Sequence, residues 1–326
     1  MSKSSYHAPM KQSALQFVEP HLAGLPRRSG ASARSLAAML LLAVMWGLSI
    51  PITKLGLETL PPLTLTAMRF GVAVPLLFFF AVGKQRLSLR TLPVAAALGV
   101  LGIGVGQVAQ AFGIKGTAAS VGTIISATIP VFVVVFAALR LKQPVTGRQK
   151  FGLLAAFAGI SLVAFGHGHG EALQTSVSGA AWMLLSAVAI AFYYVWSVEL
   201  TRDYGTAAVA AWSTLFGFIA LLPWAGWEAW HAAIHLTAQA IGVAVYLGVM
   251  VSVVGLFLWL HILRTVPAPV AASVQYLQPV FGIAAASAMF GDQLGTLFGA
   301  GVVLILGGLA LAVATRRQAE EAVPHE

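Results

Sequence analysis

The sequence predicts an all-α integral membrane protein with ten transmembrane helices, arranged as two inverted five-helix repeats with both termini in the cytoplasm. Three observations predict this fold: the composition, a series of long apolar runs, and the placement of the basic residues. Of the 326 residues, 59% are hydrophobic and 9% are charged, and the mean hydropathy is +0.87. A soluble domain carries about 25% charged residues. This chain therefore cannot cover a water-facing surface, and its outer solvent is lipid.

Ten runs are long and apolar enough to be predicted as membrane spans. A spanning helix needs about 20 apolar residues, because the hydrocarbon core is about 30 Å thick and each residue rises about 1.5 Å. In chain order the predicted spans are roughly 36–57, 64–82, 91–113, 118–139, 148–166, 176–200, 206–225, 237–264, 267–290 and 296–314. Most connections are a few residues long, so no gap holds a further folded domain.

The polar ends of the chain are predicted to lie outside the helical part. Residues 1–35 are rich in Pro, Gly and Ser and are expected to form a disordered cytoplasmic tail, and residues 315–326 form a second cytoplasmic tail. Between them, residues 36–166 form the first five-helix repeat and residues 176–314 the second. The first apolar core begins only near Leu36, too late for an ordinary secretory signal.

The basic residues set the predicted orientation, because the cytoplasmic loops of membrane proteins carry an excess of Lys and Arg. With the N-terminus in the cytoplasm, 16 of the 19 basic residues fall on the inner side. This asymmetry explains the net charge of +9 and the pI near 10.2 without a nucleic-acid partner. The chain also lacks cysteine and asparagine, which suits a multi-pass protein of a bacterial inner membrane.

An internal repeat is visible when the second half is shifted back by 149 residues. Pro130-Val131-Phe132 then falls on Pro279-Val280-Phe281, Gly106 on Gly255, and Gly159 on Gly308. Each predicted half holds five spans, and an odd number of crossings turns the second half upside down relative to the first. Inverted repeats are typical of carriers that alternate access around a site near the bilayer midplane.

Short motifs recur in order along the two halves. They are Trp46-Gly47-Leu48-Ser49, Pro61-Pro62, Arg69-Phe70, Ile129-Pro130-Val131-Phe132, Gln278-Pro279-Val280-Phe281, and the glycine pairs Gly152 with Gly159 and Gly301 with Gly308. In these residues the chain resembles the EamA-type ten-helix members of the drug/metabolite transporter superfamily, over about residues 36–314. Family members usually carry Gly-Glu after helices 4 and 9, whereas this chain has Lys142-Gln143 and Gly291-Asp292. The resemblance implies export or exchange of amino acids and related metabolites without ATP.

Polar and aromatic side chains at mid-depth predict a substrate cavity, because polar groups in hydrocarbon are costly unless paired or wetted. Gln107 and Gln110 are three residues apart, as are Gln275 and Gln278, so the two members of each pair share one helix face. The predicted substrate-binding residues are Trp46, Gln107, Gln110, Ser126, Thr128, Tyr194, Trp259, Gln275 and Gln278. The alternative for the polar residues is hydrogen bonding between packed helices, and for the aromatic residues it is anchoring at the membrane interface.

Three prolines inside spans are predicted hinges. Pro51, Pro130 and Pro279 each remove a backbone donor from a helix. A passive kink is the alternative, since membrane helices tolerate proline.

The charged residues near the span ends have more local roles. No acid lies at mid-depth, so proton coupling would have to use Glu199 or His261 near the cytoplasmic side. The alternative for Glu199 is an ion pair with an inner basic residue such as Arg202. Arg69 is expected to extend its side chain to the outer headgroups. Lys54 and Glu58 are spaced four residues apart and are expected to pair.

Other motifs do not indicate a cofactor or a metal. His167 and His169 lack further ligands for a metal site, and the glycines from Gly102 to Gly106 follow no strand and suit helix packing. No P-loop is present, so ATP does not drive transport within this chain.

The sequence thus predicts a secondary transporter of small polar metabolites such as amino acids, an exporter or exchanger acting by alternating access. Its expected partners are a small-molecule substrate and the lipid bilayer, with no cofactor and no nucleic acid. The alternatives are a channel, or a membrane-embedded enzyme that acts on lipid-linked substrates through His261 and Glu199. The sequence does not determine the substrate, the direction of transport or the coupling ion. It also does not determine the oligomeric state, and a monomer is one of the options.

Overall fold

The computed structural model describes residues 33–81, 87–141, 147–165, 175–265, 274–292 and 295–314, and every regular element in these residues is a helix. In chain order they are α1 (Ala33–Gly47 and Ser49–Gly56), α2 (Pro62–Ala81), α3 (Leu92–Ala97, Leu98–Gly104 and Val105–Lys115), α4 (Ala119–Ser126 and Ile129–Leu141), α5 (Gly147–Phe165), α6 (Val177–Trp196 and Val198–Tyr204), α7 (Thr206–His231), α8 (Ala238–Val245, Tyr246–Val254 and Gly255–Thr265), α9 (Val274–Phe290) and α10 (Thr296–Ala314). The predicted tails lie almost entirely outside the described residues.

The helices coincide with the predicted apolar runs. Seven described helices are long and apolar enough to cross a membrane, and these are α1, α2, α3, α4, α6, α7 and α8. Three shorter apolar helices, Lys150–Leu162, Leu277–Phe290 and Thr296–Leu311, lie within α5, α9 and α10. The all-helical, multi-pass character of the protein is confirmed, and the number of ten crossings stays a prediction.

Two of the predicted hinge prolines lie next to interruptions of their helices. α1 is interrupted at Leu48, three residues before Pro51, and α4 is interrupted at Ala127 and Thr128, just before Pro130. Because proline lacks an N–H, the carbonyl four residues earlier loses its helical donor. In α1 that carbonyl belongs to Gly47, and it lies so close to Gly282 of α9 that a Cβ on Gly282 would be 2.8 Å from it. Pro279 lies inside the continuous α9. The hinge role of all three stays a prediction.

The middle of α3 and the middle of α8 are π-helical. The segments are Leu98–Gly104 and Tyr246–Val254. Adding the repeat offset of 149 to the first gives 247–253, which lies within the second. A π segment holds an extra residue in each turn compared with an α-helix, and such segments often mark functional sites. Here both segments lie beside the polar cluster described below.

Helix pairs approach closely through glycines, as expected where lipid removes the hydrophobic drive for helix association. In the α5–α10 pair, an added Cβ on Gly159 would lie 2.7 Å from the carbonyl oxygen of Gly301. An added Cβ on Gly308 would lie 2.5 Å from the carbonyl oxygen of Gly152. Further close neighbours include α3 with α6, α2 with α7, α3 with α7, α1 with α9, α4 with α6, α2 with α8, α4 with α9 and α1 with α8.

Candidate functional site

Arg69 of α2 lies inside the helix bundle, about 10 Å along the helix axis from the first residue of α2. Its Nε donates a hydrogen bond to Ser252 Oγ of α8 at 3.1 Å, and its Nη1 donates to Gln107 Oε1 of α3 at 2.6 Å. The prediction that Arg69 extends to the headgroups is therefore wrong. The side chain turns inward because two acceptors on neighbouring helices lie within its reach.

The π-helical segments place these acceptors. Ser252 lies in the π segment of α8, and its hydroxyl donates to the carbonyl of Leu247, five residues earlier, at 2.9 Å. The serine oxygen is then free to accept from Arg69. Gln107 follows the π segment of α3 by three residues. The π segment of α8 thus supplies one acceptor, and the regular turn just after the π segment of α3 supplies the other.

A small cavity adjoins this cluster, with a free volume of about 10 Å³. It is lined by Thr53, Leu65, Thr66, Arg69, Gln107, Gln110, Ala111 and Leu247. A space of this size holds about one water molecule, whereas a pocket for a drug-sized ligand measures about 300–1,000 Å³. The helices are therefore closed around the arginine in this conformation.

Two predicted aromatic residues lie next to the arginine cluster. Trp46 Nε1 donates to the carbonyl of Val251 at 3.1 Å, and Val251 precedes the serine that binds Arg69. The ring of Trp46 contacts that of Trp259, with centroids 6.0 Å apart and planes tilted by 45°. The structure thus brings Trp46, Gln107 and Gln110 to one region, with Trp259 behind Trp46.

The remaining predicted substrate residues do not line this cavity. Gln278 Nε2 donates to Gln275 Oε1 at 3.0 Å, so the two amides of α9 bind each other. Thr128 is fully buried and its hydroxyl donates to the carbonyl of Ile125, and Ser126 precedes the interruption of α4. Tyr194 is half exposed on α6. Their part in substrate binding stays a prediction.

Glu199, a proton-coupling candidate, forms an ion pair with Arg140 of α4. Arg140 Nη2 lies 3.0 Å from Glu199 Oε2, and the glutamate side chain is 76% exposed. Arg140 also donates to the carbonyl of Val195 and lies over the ring of Trp196. This contact agrees with the predicted alternative, an ion pair between Glu199 and a basic residue, with Arg140 as a partner. His261 is exposed on α8.

The opposite end of the bundle, named here the Asp292 end, is held by three contacts between helices. Lys54 Nζ donates to the carbonyls of Ile114 and Thr117 at 3.0 and 2.5 Å, so the predicted Lys54–Glu58 pair is wrong. The ammonium group is drawn to the carboxyl end of α3, where the helix dipole is negative. Glu228 Oε2 accepts from the backbone N–H and the hydroxyl of Thr64, at the start of α2.

The third contact joins the second half of the chain to the first. Asp292 Oδ2 accepts from the backbone N–H of Ser120 at 2.8 Å, in the first turn of α4. The aspartate is 5% exposed, and the carboxylate meets the positive end of the helix dipole. Asp292 therefore holds the loop after α9 against the start of α4.

Removing this carboxylate should lower the stability of the protein. Asp292→Ala leaves the Ser120 N–H without its acceptor, and a hydrogen bond to a charged group contributes about 1.5–3 kcal/mol. Asp292→Asn keeps an acceptor and should lose about half as much. Thermal unfolding of the purified protein in detergent measures both. Equal melting temperatures for the wild type and Asp292→Ala would contradict a stabilising role for this bond.

Sequence reasoning found part of this site. It identified Gln107, Gln110 and Trp46, and it did not assign Arg69, Thr53 or Thr66 to the site. One signal was present: Thr66 lies three residues before Arg69 and so marks the same polar face of α2.

A model of the EamA-like transporter family matches residues 33–165 and residues 177–314. The chain belongs to the EamA-like transporter family. An uncharacterized transporter of Archaeoglobus fulgidus is 25% identical, over 85% of this chain and 97% of that one. A probable terminal-alkyne amino-acid exporter of Streptantibioticus cattleyicolor is 26% identical, over 85% of this chain and 93% of that one. A probable amino-acid metabolite efflux pump of Salmonella typhimurium is 27% identical, over 84% and 93%.

A solved crystal structure shares the fold of this EamA-like chain. It is 17% identical, with a TM-score of 0.60 over 89% of this chain and 100% of that one. The family and the names of the relatives indicate a membrane transporter and not an enzyme.

Proposed function

We propose that this EamA-like protein is a secondary transporter of small polar metabolites such as amino acids, working as an exporter or exchanger by alternating access. The observation that carries the proposal is the Arg69 cluster, a charged hydrogen-bonding site inside an apolar bundle. Ionisable residues in membrane helices face the bundle interior and mark substrate pathways. Two of the relatives are named as a probable amino-acid exporter and a probable amino-acid metabolite efflux pump.

Local irregularities support two related halves of five crossings each, residues 36–166 and 176–314. The interruption of α1 at Leu48 plus 149 gives Ser197, where α6 is interrupted. The π segments of α3 and α8 are related by the same offset. The two matches to the family model, over 33–165 and 177–314, also support the duplication.

Helix pairing supports a two-fold relation between these halves. A two-fold axis exchanges α1 with α6, α2 with α7, α3 with α8, α4 with α9 and α5 with α10. Under that exchange α1–α8 becomes α6–α3, α1–α9 becomes α6–α4, and α2–α8 becomes α7–α3, and all six pairs are present. The pairs α2–α7, α4–α9 and α5–α10 map onto themselves. With the five crossings per half that we propose, this axis would lie in the membrane plane.

Alternating access gives the two ends of the bundle distinct roles. In our proposal the Asp292 end faces outward from the inner membrane, and the end that holds Arg140 and Glu199 faces the cytoplasm, with both termini. The bonds of Lys54, Glu228 and Asp292 close the outward end in this conformation. The one-water cavity at Arg69 then represents a closed state, which must widen before a metabolite enters.

The alternatives receive less support from the described residues. An enzyme acting on lipid-linked substrates would use His261 and Glu199, but Glu199 is engaged by Arg140. A channel would need a continuous wet path, whereas the space beside Arg69 holds about one water molecule. In our proposal, any proton coupling uses Glu199 or His261.

Counterflow in proteoliposomes tests the transport function. Vesicles loaded with unlabelled L-amino acids, with no ATP present, should take up an external labelled L-amino acid in a saturable manner and faster than unloaded vesicles. A carrier exchanges in this way because the loaded form reorients with its cargo. Uptake no faster than in protein-free vesicles, for each amino acid, would contradict the proposal. Unitary currents across a planar bilayer would indicate a channel.

A further inference from the structure

Among the described residues, the hydrogen-bond partners of Arg69 are all uncharged. Both of its bonds go to uncharged oxygens, those of Ser252 and Gln107. The described carboxylates are placed elsewhere: Glu199 pairs with Arg140, Glu228 binds Thr64, and Asp292 binds Ser120. Glu58 and Asp203 lie at helix ends and form no ion pair in the described part of the chain. The positive charge inside the bundle is therefore without a counter-charge there.

The guanidinium also keeps donors to spare. Arginine carries five N–H hydrogens in a planar fork, and described residues accept from Nε and Nη1. The hydrogens of Nη2 have no acceptor among the described residues, and Arg69 borders the small cavity. The planar fork matches a carboxylate, which binds it through parallel hydrogen bonds.

We propose that Arg69 binds the carboxylate of the transported substrate. This inference rests on the proposed transport function and narrows its substrate class to carboxylate-bearing metabolites. The carboxylate supplies the missing negative charge and enters the space that Arg69 borders, which widens to admit it. Gln107 and Ser252 act as positioning residues, because their bonds fix the plane of the guanidinium.

The remaining cavity groups suit the rest of an amino acid. Gln110, Thr53 and Thr66 line the same space. The hydroxyls of both threonines donate to backbone carbonyls, so their oxygens are left as acceptors for an ammonium group. Trp46 adjoins the cluster through Val251 and offers an apolar surface.

A carboxylate fits better than a phosphate group. The cluster holds one cation, whereas a phosphate dianion requires more positive charge for neutralisation. Lys54, the next basic residue of the bundle, is already bound to the carbonyls that end α3.

The inference is tested by asking whether transport distinguishes a carboxylate from its neutral amide. For each labelled L-amino acid that the wild type exchanges, competition by the unlabelled acid is compared with competition by its C-terminal amide. The variants are Arg69→Gln, Arg69→Lys and, as a matched control, Arg148→Gln, which makes the same exchange at an exposed position of α5. Melting temperatures in detergent report whether each variant is folded.

The expected result is that the wild type and Arg148→Gln prefer the acid by about tenfold or more, equivalent to about 1.4 kcal/mol. In Arg69→Gln this preference should be lost, so that the acid and its amide compete equally. Arg69→Lys should retain part of the preference. If Arg69→Gln does not fold, Gln107→Leu and Ser252→Ala provide the second test, since loss of positioning should also reduce the preference.

Three results overturn the inference. They are equal competition by acid and amide in the wild type, an unchanged preference in a folded Arg69→Gln, and stronger competition by inorganic phosphate than by the acid. In each case transport by the wild type persists, so the proposed function survives. Absence of exchange by the wild type would instead contradict the proposed function itself.

Discussion

Gly308→Val is expected to separate α5 from α10 and to destabilise the protein strongly. An added Cβ at this position would lie 2.5 Å from the carbonyl oxygen of Gly152 and 2.8 Å from the backbone nitrogen of Ala156. Backbone atoms cannot rotate away as side chains do, so the two helices must move apart. Overpacking of this kind costs about 1–3 kcal/mol, and the lost contacts along α5 add to that.

Gly307→Val is the matched control for this prediction. Gly307 precedes Gly308 in the same helix, and an added Cβ there meets nothing within 4 Å. Both variants place a β-branched residue in α10, so the helix propensities of the two are equal. We expect a clear fall in melting temperature for Gly308→Val alone, measured by tryptophan fluorescence in detergent. Similar melting temperatures for the two variants would show that the close α5–α10 approach contributes little.

Gly282→Val is expected to slow transport strongly, because it places a side chain where α1, α4 and α9 contact one another. An added Cβ on Gly282 would lie 2.5 Å from Thr123 Cγ2 and 2.8 Å from the carbonyl oxygen of Gly47. That carbonyl is the one that loses its helical donor because of Pro51. A wedge at this point forces apart helices from both halves of the chain. Exchange in proteoliposomes should fall by about tenfold or more, the equivalent of about 1.4 kcal/mol.

Ala284→Val provides the comparison on the same helix, because Ala284 is exposed on the surface of α9. It should leave exchange near the wild-type rate. A folded Gly282→Val protein with wild-type exchange would show that the contact between α1 and α9 can loosen without affecting transport. Unfolding of Gly282→Val would instead place the effect on stability, and Gly282→Ala would then be the variant to assay.

The apolar runs were the part of this fold that the sequence could predict, and the physical reason is the uniformity of lipid. A membrane helix must satisfy its backbone internally over a fixed thickness, so α2, at Pro62–Ala81, lies within two residues of its predicted span. The interruptions of α1 and α6 and the π segments of α3 and α8 could not be predicted in this way. They are local adjustments to packing between helices, and apolar composition does not change across them.

Arg69 shows why the site was harder to predict than the fold. Its depth in the sequence is compatible with a side chain that reaches the headgroups or with one that turns inward. The choice depends on acceptors from α3 and α8, which are 38 and 183 residues away in the chain. Lys54 illustrates the same point, because it binds carbonyls of α3 and not the glutamate one turn away.

The π segment of α8 links the winding of this helix to the hydrogen bonding of the Arg69 charge. The Ser252 hydroxyl reaches the carbonyl five residues back only because the backbone there is wound wide. If this stretch tightened to 3.6 residues per turn, the serine would swing around the axis and Arg69 would lose one of its acceptors. Rewinding of a single turn would thus strip solvation from the guanidinium, and an incoming anion would restore it.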